Sequence, residues 1–141
     1  MADSSDIENA VIALLGADAT LLALCPNGVY NDEAPPTSTR FVIVSLVDES
    51  DEPMFNGTAF EDMTLLVKAV MQKLPNGPNP DVKSAAARIQ ALLHQQPLTV
   101  SGYGVSVMRR TSRVRLTEVD DEDQSLRWQH RGGLYNLVAS T

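Results

Sequence analysis

The stretch from Thr58 to Gln72 alternates, and that alternation limits the folds open to the chain. Met63, Leu65, Val67, Ala69 and Met71 fall on one parity. Asp62, Thr64, Leu66, Lys68, Val70 and Gln72 fall on the other. A period of two with one apolar and one mixed face describes a strand whose sheet packs one side on a core. A helix from Glu61 to Lys73 is the competing reading. The β-branched content and the alternation favour the strand.

Other segments supply the rest of a sheet. Phe41 to Val47 (FVIVSLV) is nearly all apolar and reads as a buried strand, and Val29-Tyr30 reads as a short one. From Leu98 to Val119 the chain is strand-like, with a tight connection at Ser101-Gly102. Leu126 to Ala139 is the last strand, with a bulge expected at Gly132-Gly133. These two stretches flank the polar turn VDDEDQS and are expected to form an antiparallel hairpin. Between Val47 and Thr58, the segment Asp48 to Gly57 is acidic and then turn-rich. It reads as an exposed loop that can close a hairpin.

Three helices are expected. Ser4 or Ser5 can cap the first, with Glu8 as capping-box partner and Ile7, Val11, Leu14 and Leu15 at helical spacing. Asp18 can cap a short second helix through Leu24, stopped by Pro26-Asn27-Gly28. Asn79 or Asp81 can start a third, with Val82, Ala85, Ala86, Ile89, Leu92 and Leu93 on one stripe and Pro97 beyond its end. Pro35 and Pro36 mark an irregular loop, and LPNGPNPD is a dense breaker segment. The expected fold is α+β in two layers. Helices pack on one face of an antiparallel sheet of about four main strands, in a single domain spanning residues 1–141.

Composition closes off several classes. Hydrophobic residues make up 43% and charged residues 21%, which excludes wholesale disorder. No run of ~18 apolar residues is present to span a membrane. The opening MADSSDIENAVIALL lacks the basic start of a secretory signal. Cys25 alone cannot make an internal disulfide framework or a cysteine zinc cluster, and it fits a reducing compartment. No nucleophile elbow, Walker loop or dinucleotide fingerprint occurs. Cys25 reads as a buried apolar residue. His94 reads as an exposed helix end and His130 as a surface or interface residue. The acid runs Asp48–Glu52 and Glu118–Asp123 lack the spacing of a calcium loop and read as solvated turns. No catalytic residue, metal site or cofactor is expected.

Charge is unevenly spread. Residues 1–62 hold twelve acids and one base, a sum of −11, whereas residues 63–141 sum to +4. Six arginines (Arg109, Arg110, Arg113, Arg115, Arg127, Arg131) crowd into the last two strand-like stretches. Regular pairing would place Arg109, Arg113 and Arg115 on one face and Arg110 on the other, with Arg127 and Arg131 sharing a parity on the partner strand. Such asymmetry suits head-to-tail contact between identical subunits, although solvated strand faces would look the same. A basic sheet face could also hold nucleic acid phosphates, which makes a nucleic-acid-binding module on the arginine-rich hairpin the alternative. The sequence pI near 4.6 and the scarcity of aromatics (Tyr103, Trp128, Tyr135) weigh against it.

Several segments together carry a family resemblance. They are LLGADATLLALCPNGVYNDEAP, RFVIVSLVD, GTAFEDMTLLVKAV, DVKSAAARIQALLHQQPL and RWQHRGGLYNLVAS. In order and length the chain resembles the tail terminator, or tail completion, proteins of long-tailed, siphovirus-like phages and prophages. The resemblance implies a non-enzymatic α+β subunit of a homohexameric ring. Such a ring caps the tail tube, stops its polymerisation and joins the tail to the head–neck connector. Its partners would be further copies of itself, the tail tube protein and the connector (stopper) protein. DNA would pass through the ring without specific binding, and no membrane is involved. The expected location is the tail–neck junction of the virion, after assembly in the bacterial host cytoplasm. A domain of this length is about 37 Å across, and six touching spheres enclose an opening of about that diameter, wide enough for a duplex. In this setting the six arginines are expected at a subunit or tail-tube interface. The loop residues Asp48, Glu49, Asp51, Glu52, Met54 and Phe55 are expected to dock on a partner, the alternative being that Met54 and Phe55 fold back on their own core.

Overall fold

A computed structural model describes residues 3–54, 57–73, 80–105 and 107–140; for residues 52–54 and 57–59 it describes the backbone only. Helices α1 (Ser4–Gly16) and α2 (Ala19–Leu24) open the chain, followed by strands β1 (Val29–Asn31), β2 (Arg40–Met54) and β3 (Gly57–Lys73). Helix α3 (Pro80–Leu93) leads to β4 (Gly104–Val105), β5 (Arg109–Val119) and β6 (Arg127–Ser140). The architecture is α+β, but the sheet has six strands and is mixed. β1 runs parallel to β2, and the other pairs are antiparallel. The order is β1-β2-β3-β6, with β4 and β5 sharing the far side of β6. The expected plain antiparallel sheet of about four strands is therefore corrected. β1 is short and reaches the sheet through the irregular segment before β2, so its direction had no local sequence signal.

Local chemistry explains the helices. The cap of α1 is Asp3, whose carboxylate accepts from Ser5 N–H while Asp6 reaches back to Asp3 N–H. This aspartate pair makes the capping box two residues earlier than the Ser–Glu pair expected. Asp18 caps α2 by accepting from Leu21 N–H, as its position suggested. Pro80 sits at the first position of α3, where a missing N–H costs nothing. Gln95, in the left-handed region just past the helix, donates its N–H to Met108 O at 2.7 Å.

The helices bury Ile7, Val11, Leu15, Leu21, Val82, Ala85, Ile89 and Leu93 against one sheet face. That face carries Val42, Val44, Met63, Leu65, Val67, Ala69, Met71, Tyr135, Leu137 and Ala139. The strand reading of Thr58–Gln72 holds, and its Met63–Met71 parity is the core face. Two ion pairs tie the helical layer, one between α3 and the cap of α2 and one between α3 and β2. Arg88 grips the Asp18 carboxylate at 2.6 and 2.9 Å, and Arg40 meets Asp81 at 2.8 Å. Cys25 lies fully buried at the end of α2, and burial pushes its thiol up to about 11.

The strands depart from expectation in three ways. The stretch Leu98–Val119 is not one strand: Ser101-Gly102 turns as expected, but β4 and β5 are separate pieces along β6. The Gly132-Gly133 pair is no bulge, since β6 pairs with β3 without a register shift. The bulge lies instead on β5, between Arg110 and Ser112. Gly132 is required by close approach: a Cβ there would stand 2.0 Å from Val67 O. The segment Asp48–Gly57 closes a hairpin as expected, but its described residues are strand where an exposed loop was expected. Its described residues continue β2 to Met54 and open β3 at Gly57, paired through Asp48↔Thr64, Asp51↔Glu61 and Met54↔Gly57. Asp48–Asp51 pair with β3 on one side only, and acidic residues along an open strand edge look locally like a solvated loop.

Candidate functional site

The bulge on β5 decides where the arginines point. Arg110 pairs with Tyr135, whereas Arg113 and Arg115 pair with Gly133 and Arg131, so all three lie on the helix-bearing side. Arg109 pairs with Asn136 and lies on the opposite side. The expectation of Arg109 with Arg113 and Arg115, and Arg110 apart, is thus reversed. An extra residue in one strand exchanges faces for everything before it. Two contacts hold the bulge: Thr111 Oγ1 donates to Leu134 O at 3.4 Å, and Arg110 N–H donates to His94 Nδ1 at 3.0 Å. His94 is therefore a half-buried acceptor at the end of α3, not a free helix end. Its partner lies sixteen residues away, beyond any local signal.

The result is a groove of about 360 Å³ between α3 and the β5–β6 ladder. Lys83, Ala86, Ala87 and Gln90 form one wall, and Arg110, Arg113, Val114, Arg115, Arg131 and Gly132 form the other. Five of these residues are basic and none is acidic. Small side chains on α3 and the glycines of β6 leave room for the arginine stems. Gly133 lies directly under Arg110, because a Cβ there would come within 2.7 Å of Arg110 Cδ. Among the described residues none of Arg110, Arg113, Arg115 and Arg131 makes an ion pair. Arg115 and Arg131 stand directly opposite one another in the ladder, a like-charge arrangement that costs stability. Arg127 folds back, donating to Gln124 O and to Leu126 O, and does not line the groove.

The acids gather at the other end of the sheet. β3 pairs with β6 only from Glu61 onward, and β1 pairs with β2 only at Val42–Val44. Past Val44 the β2 segment Ser45–Met54 pairs with β3 on one side and with no strand on the other among the described residues, and past Glu61 the ladder narrows to two strands, Glu52–Met54 with Gly57–Phe60; this end of β2 and β3 is the acidic arm. Asp48, Glu49 and Asp51 are exposed on it, with Glu61 and Asp62 half-buried at its base. Tyr103 O–H donates to Glu61, and Asn136 Nδ2 donates to Asp62 at 2.6 Å. Burial and the Glu61 carboxylate push the Tyr103 hydroxyl up to about 12. Asp51 faces Glu61 directly across the ladder, a second like-charge pair. The backbones of Glu52 and Met54 lie in β2, while Phe55 lies outside the described residues.

A second concavity, about 330 Å³, lies on the opposite sheet face under the Asp32–Pro36 segment. Phe41, Ile43, Val70 and Trp128 line it along with Lys68, Glu118 and His130. The Phe41 and Trp128 rings meet at 6.2 Å, tilted by 59°. His130 is buried, which corrects its reading as a surface residue. Its Nε2 lies 2.5 Å from Glu118 Oε1, and its Nδ1 has no partner among the described residues. Burial, then Lys68 nearby, pulls the imidazole below its usual range, against the opposing pull of Glu118. A neutral ring donates Nε2–H to Glu118 and leaves Nδ1 as a bare acceptor. Burial likewise lowers the Lys68 ammonium. The signal for a buried His130 is present in the sequence, since Leu134 and Val138 make the second parity of β6 apolar as well.

None of this assembles a catalytic constellation or a group of metal ligands among the described residues. The Glu118–Asp123 run is held by its own bonds: Asp120 accepts from Trp128 Nε1–H and from the N–H groups of Glu122 and Asp123. Among the described residues no helix is long and apolar enough to cross a membrane.

No protein-family model and no curated protein sequence matches the chain. Solved structures do. A chain of the virion of a native gene transfer agent particle superposes with a TM-score of 0.66 at 20% identity, covering 98% of this chain and 97% of that one. Another solved chain superposes at 0.58 with 11% identity, over 100% and 97% of the two chains. At these identities the likeness is one of fold.

Proposed function

We propose that this chain is a virion structural protein, a ring-forming tail terminator that caps a phage-like tail tube and joins it to the head–neck connector. The observation that carries the reading is full-length likeness to a subunit of a gene transfer agent virion, a phage-like particle. It meets the resemblance stated above over the same span of chain. The two opposed charged surfaces support a subunit made for assembly, because a ring needs one donor and one acceptor surface on each copy. The six arginines and the acidic arm then serve subunit and tail-tube contacts.

The groove argues against the nucleic-acid alternative. Modules that hold single strands combine basic residues with aromatic platforms. No aromatic side chain lines this groove. Trp128 lies on the opposite sheet face and Tyr135 is buried.

The test is removal of the gene from its virus-like element, followed by complementation. Tails of uncontrolled length that fail to join heads, restored by the wild-type copy, are expected. Particles with normal, joined tails would refute the reading. Binding to random duplex DNA at physiological salt, with normal tails in the deletion, would establish the alternative.

A further inference from the structure

We infer that the acidic β2–β3 arm of one copy seats against β5 and the basic groove of the next, so that identical subunits join head to tail. The inference rests on the ring reading and names the contact that builds the ring. Three observations carry it. First, the two surfaces lie on opposite margins of one sheet, with β3 and β6 between β2 and β5. They cannot meet within one subunit, yet each copy presents one of each, the arrangement of a heterologous interface. Second, each surface holds a like-charge cross-strand pair, Asp51↔Glu61 on the arm and Arg115↔Arg131 at the groove. A bound polyanion would relieve the groove and leave the arm strained, and a basic partner would do the reverse. A second copy relieves both. Third, both margins carry exposed apolar side chains: Val47 and Phe60 on the arm, and on β5 Val119, which shares the face of Arg113 and Arg115, and Leu116 on the other face. These supply the water-excluding contacts that charge alone lacks. The free long edge of β5 is otherwise a hazard, which its arginines guard until the arm covers it.

A charge exchange tests the contact. One variant carries Arg113→Glu with Arg115→Glu, and the other carries Glu49→Lys with Asp51→Lys. All four side chains are exposed, so both variants keep the fold, checked by circular dichroism and melting. Sedimentation at low ionic strength is expected to show wild-type oligomers that dissociate with added salt. Each variant alone is expected to associate about tenfold more weakly or worse. The equimolar mixture recovers wild-type association, because each native surface meets a native partner and each reversed surface meets a reversed one. A folded variant that assembles alone as the wild type does, a mixture that stays dissociated, or a wild type monomeric at every concentration and salt would overturn the inference. Tail attachment separates this from the ring reading. Six-fold rings on tails without exchange rescue would defeat the arm contact alone. Rescue with no ring on tails would defeat the terminator reading alone.

Discussion

Removing the charge at Asp18 tests how α2 and α3 are held together in the helical layer. The carboxylate does two things: it caps α2 through Leu21 N–H at 2.9 Å, and it receives Arg88 from α3 at 2.6 and 2.9 Å. The guanidinium, first among the causes, holds the Asp18 carboxyl down at about 2. Asp18→Asn keeps a capping oxygen but loses the ion pair, whereas Asp18→Ala loses both. A cap is worth about 1 kcal/mol. The Arg88 side chain is 36% exposed, so solvent screening reduces a charge-assisted pair to about 1 kcal/mol as well. Asp18→Asn should therefore cost about 1 kcal/mol and Asp18→Ala about 2 kcal/mol at pH 7. In a chain of this size that lowers Tm by about 3–4 °C per kcal/mol. The pH dependence follows from a depressed carboxyl. Its stabilisation is full above the unfolded value of 3.8 and is lost as pH falls through the folded value of about 2. Chemical denaturation at pH 7, 5, 3.5 and 2 measures it. The gap between wild type and Asp18→Asn should be constant at pH 7 and 5 and shrink below about pH 4. An Asp18→Asn variant as stable as wild type at pH 7, or a gap that persists at pH 2, would refute the reasoning.

Three further outcomes are expected. Gly132→Ala should destabilise by about 3 kcal/mol or more, seen as a lowered denaturation midpoint, because its Cβ would meet Val67 O at 2.0 Å and Lys68 Cα at 2.5 Å, and neither backbone atom can turn aside. Arg115→Glu alone should raise the stability of the free subunit by about 0.2–1 kcal/mol, since a like-charge pair with Arg131 becomes an opposite one; a loss measured by urea titration would count against the ladder register. His130, lowered by burial and then by Lys68, binds its proton more weakly in the folded than in the unfolded chain, so stability should fall as pH drops below the free value of 6.5. His130→Gln should flatten that slope between pH 7 and 5, and an unchanged slope would assign it to other groups.

The sequence and the structure agree where one residue's neighbours along the chain decide its environment. The alternation of Met63–Met71, the stripe on α3 and the Asp18 cap all appear in the fold as periodicity placed them. They part where a long-range partner decides. Nothing near Arg110 announces that one extra residue on β5 turns it onto the face of Arg113 and Arg115. That bulge is held by His94 from another element. The glycine pair drew the bulge to the wrong strand, because glycine serves close approach as readily as irregular pairing. The acidic stretch after Val47 hid a ladder, because Asp48–Asp51 are all exposed on the open edge of β2 and show no apolar alternation. The charged surfaces were visible as composition, but their position at opposite margins of one sheet follows only from the strand order.

The central claim is that copies of this chain close into a ring at the end of a tail tube. End-on class averages of purified tails, with and without the chain, test it most directly. The expected image is a six-fold ring of about 37 Å subunits at one end of each tail, absent when the chain is withheld and dissociated by Arg113→Glu with Arg115→Glu. Tails whose ends look the same with and without the chain, or that carry two-fold dimers in place of a ring, would contradict it.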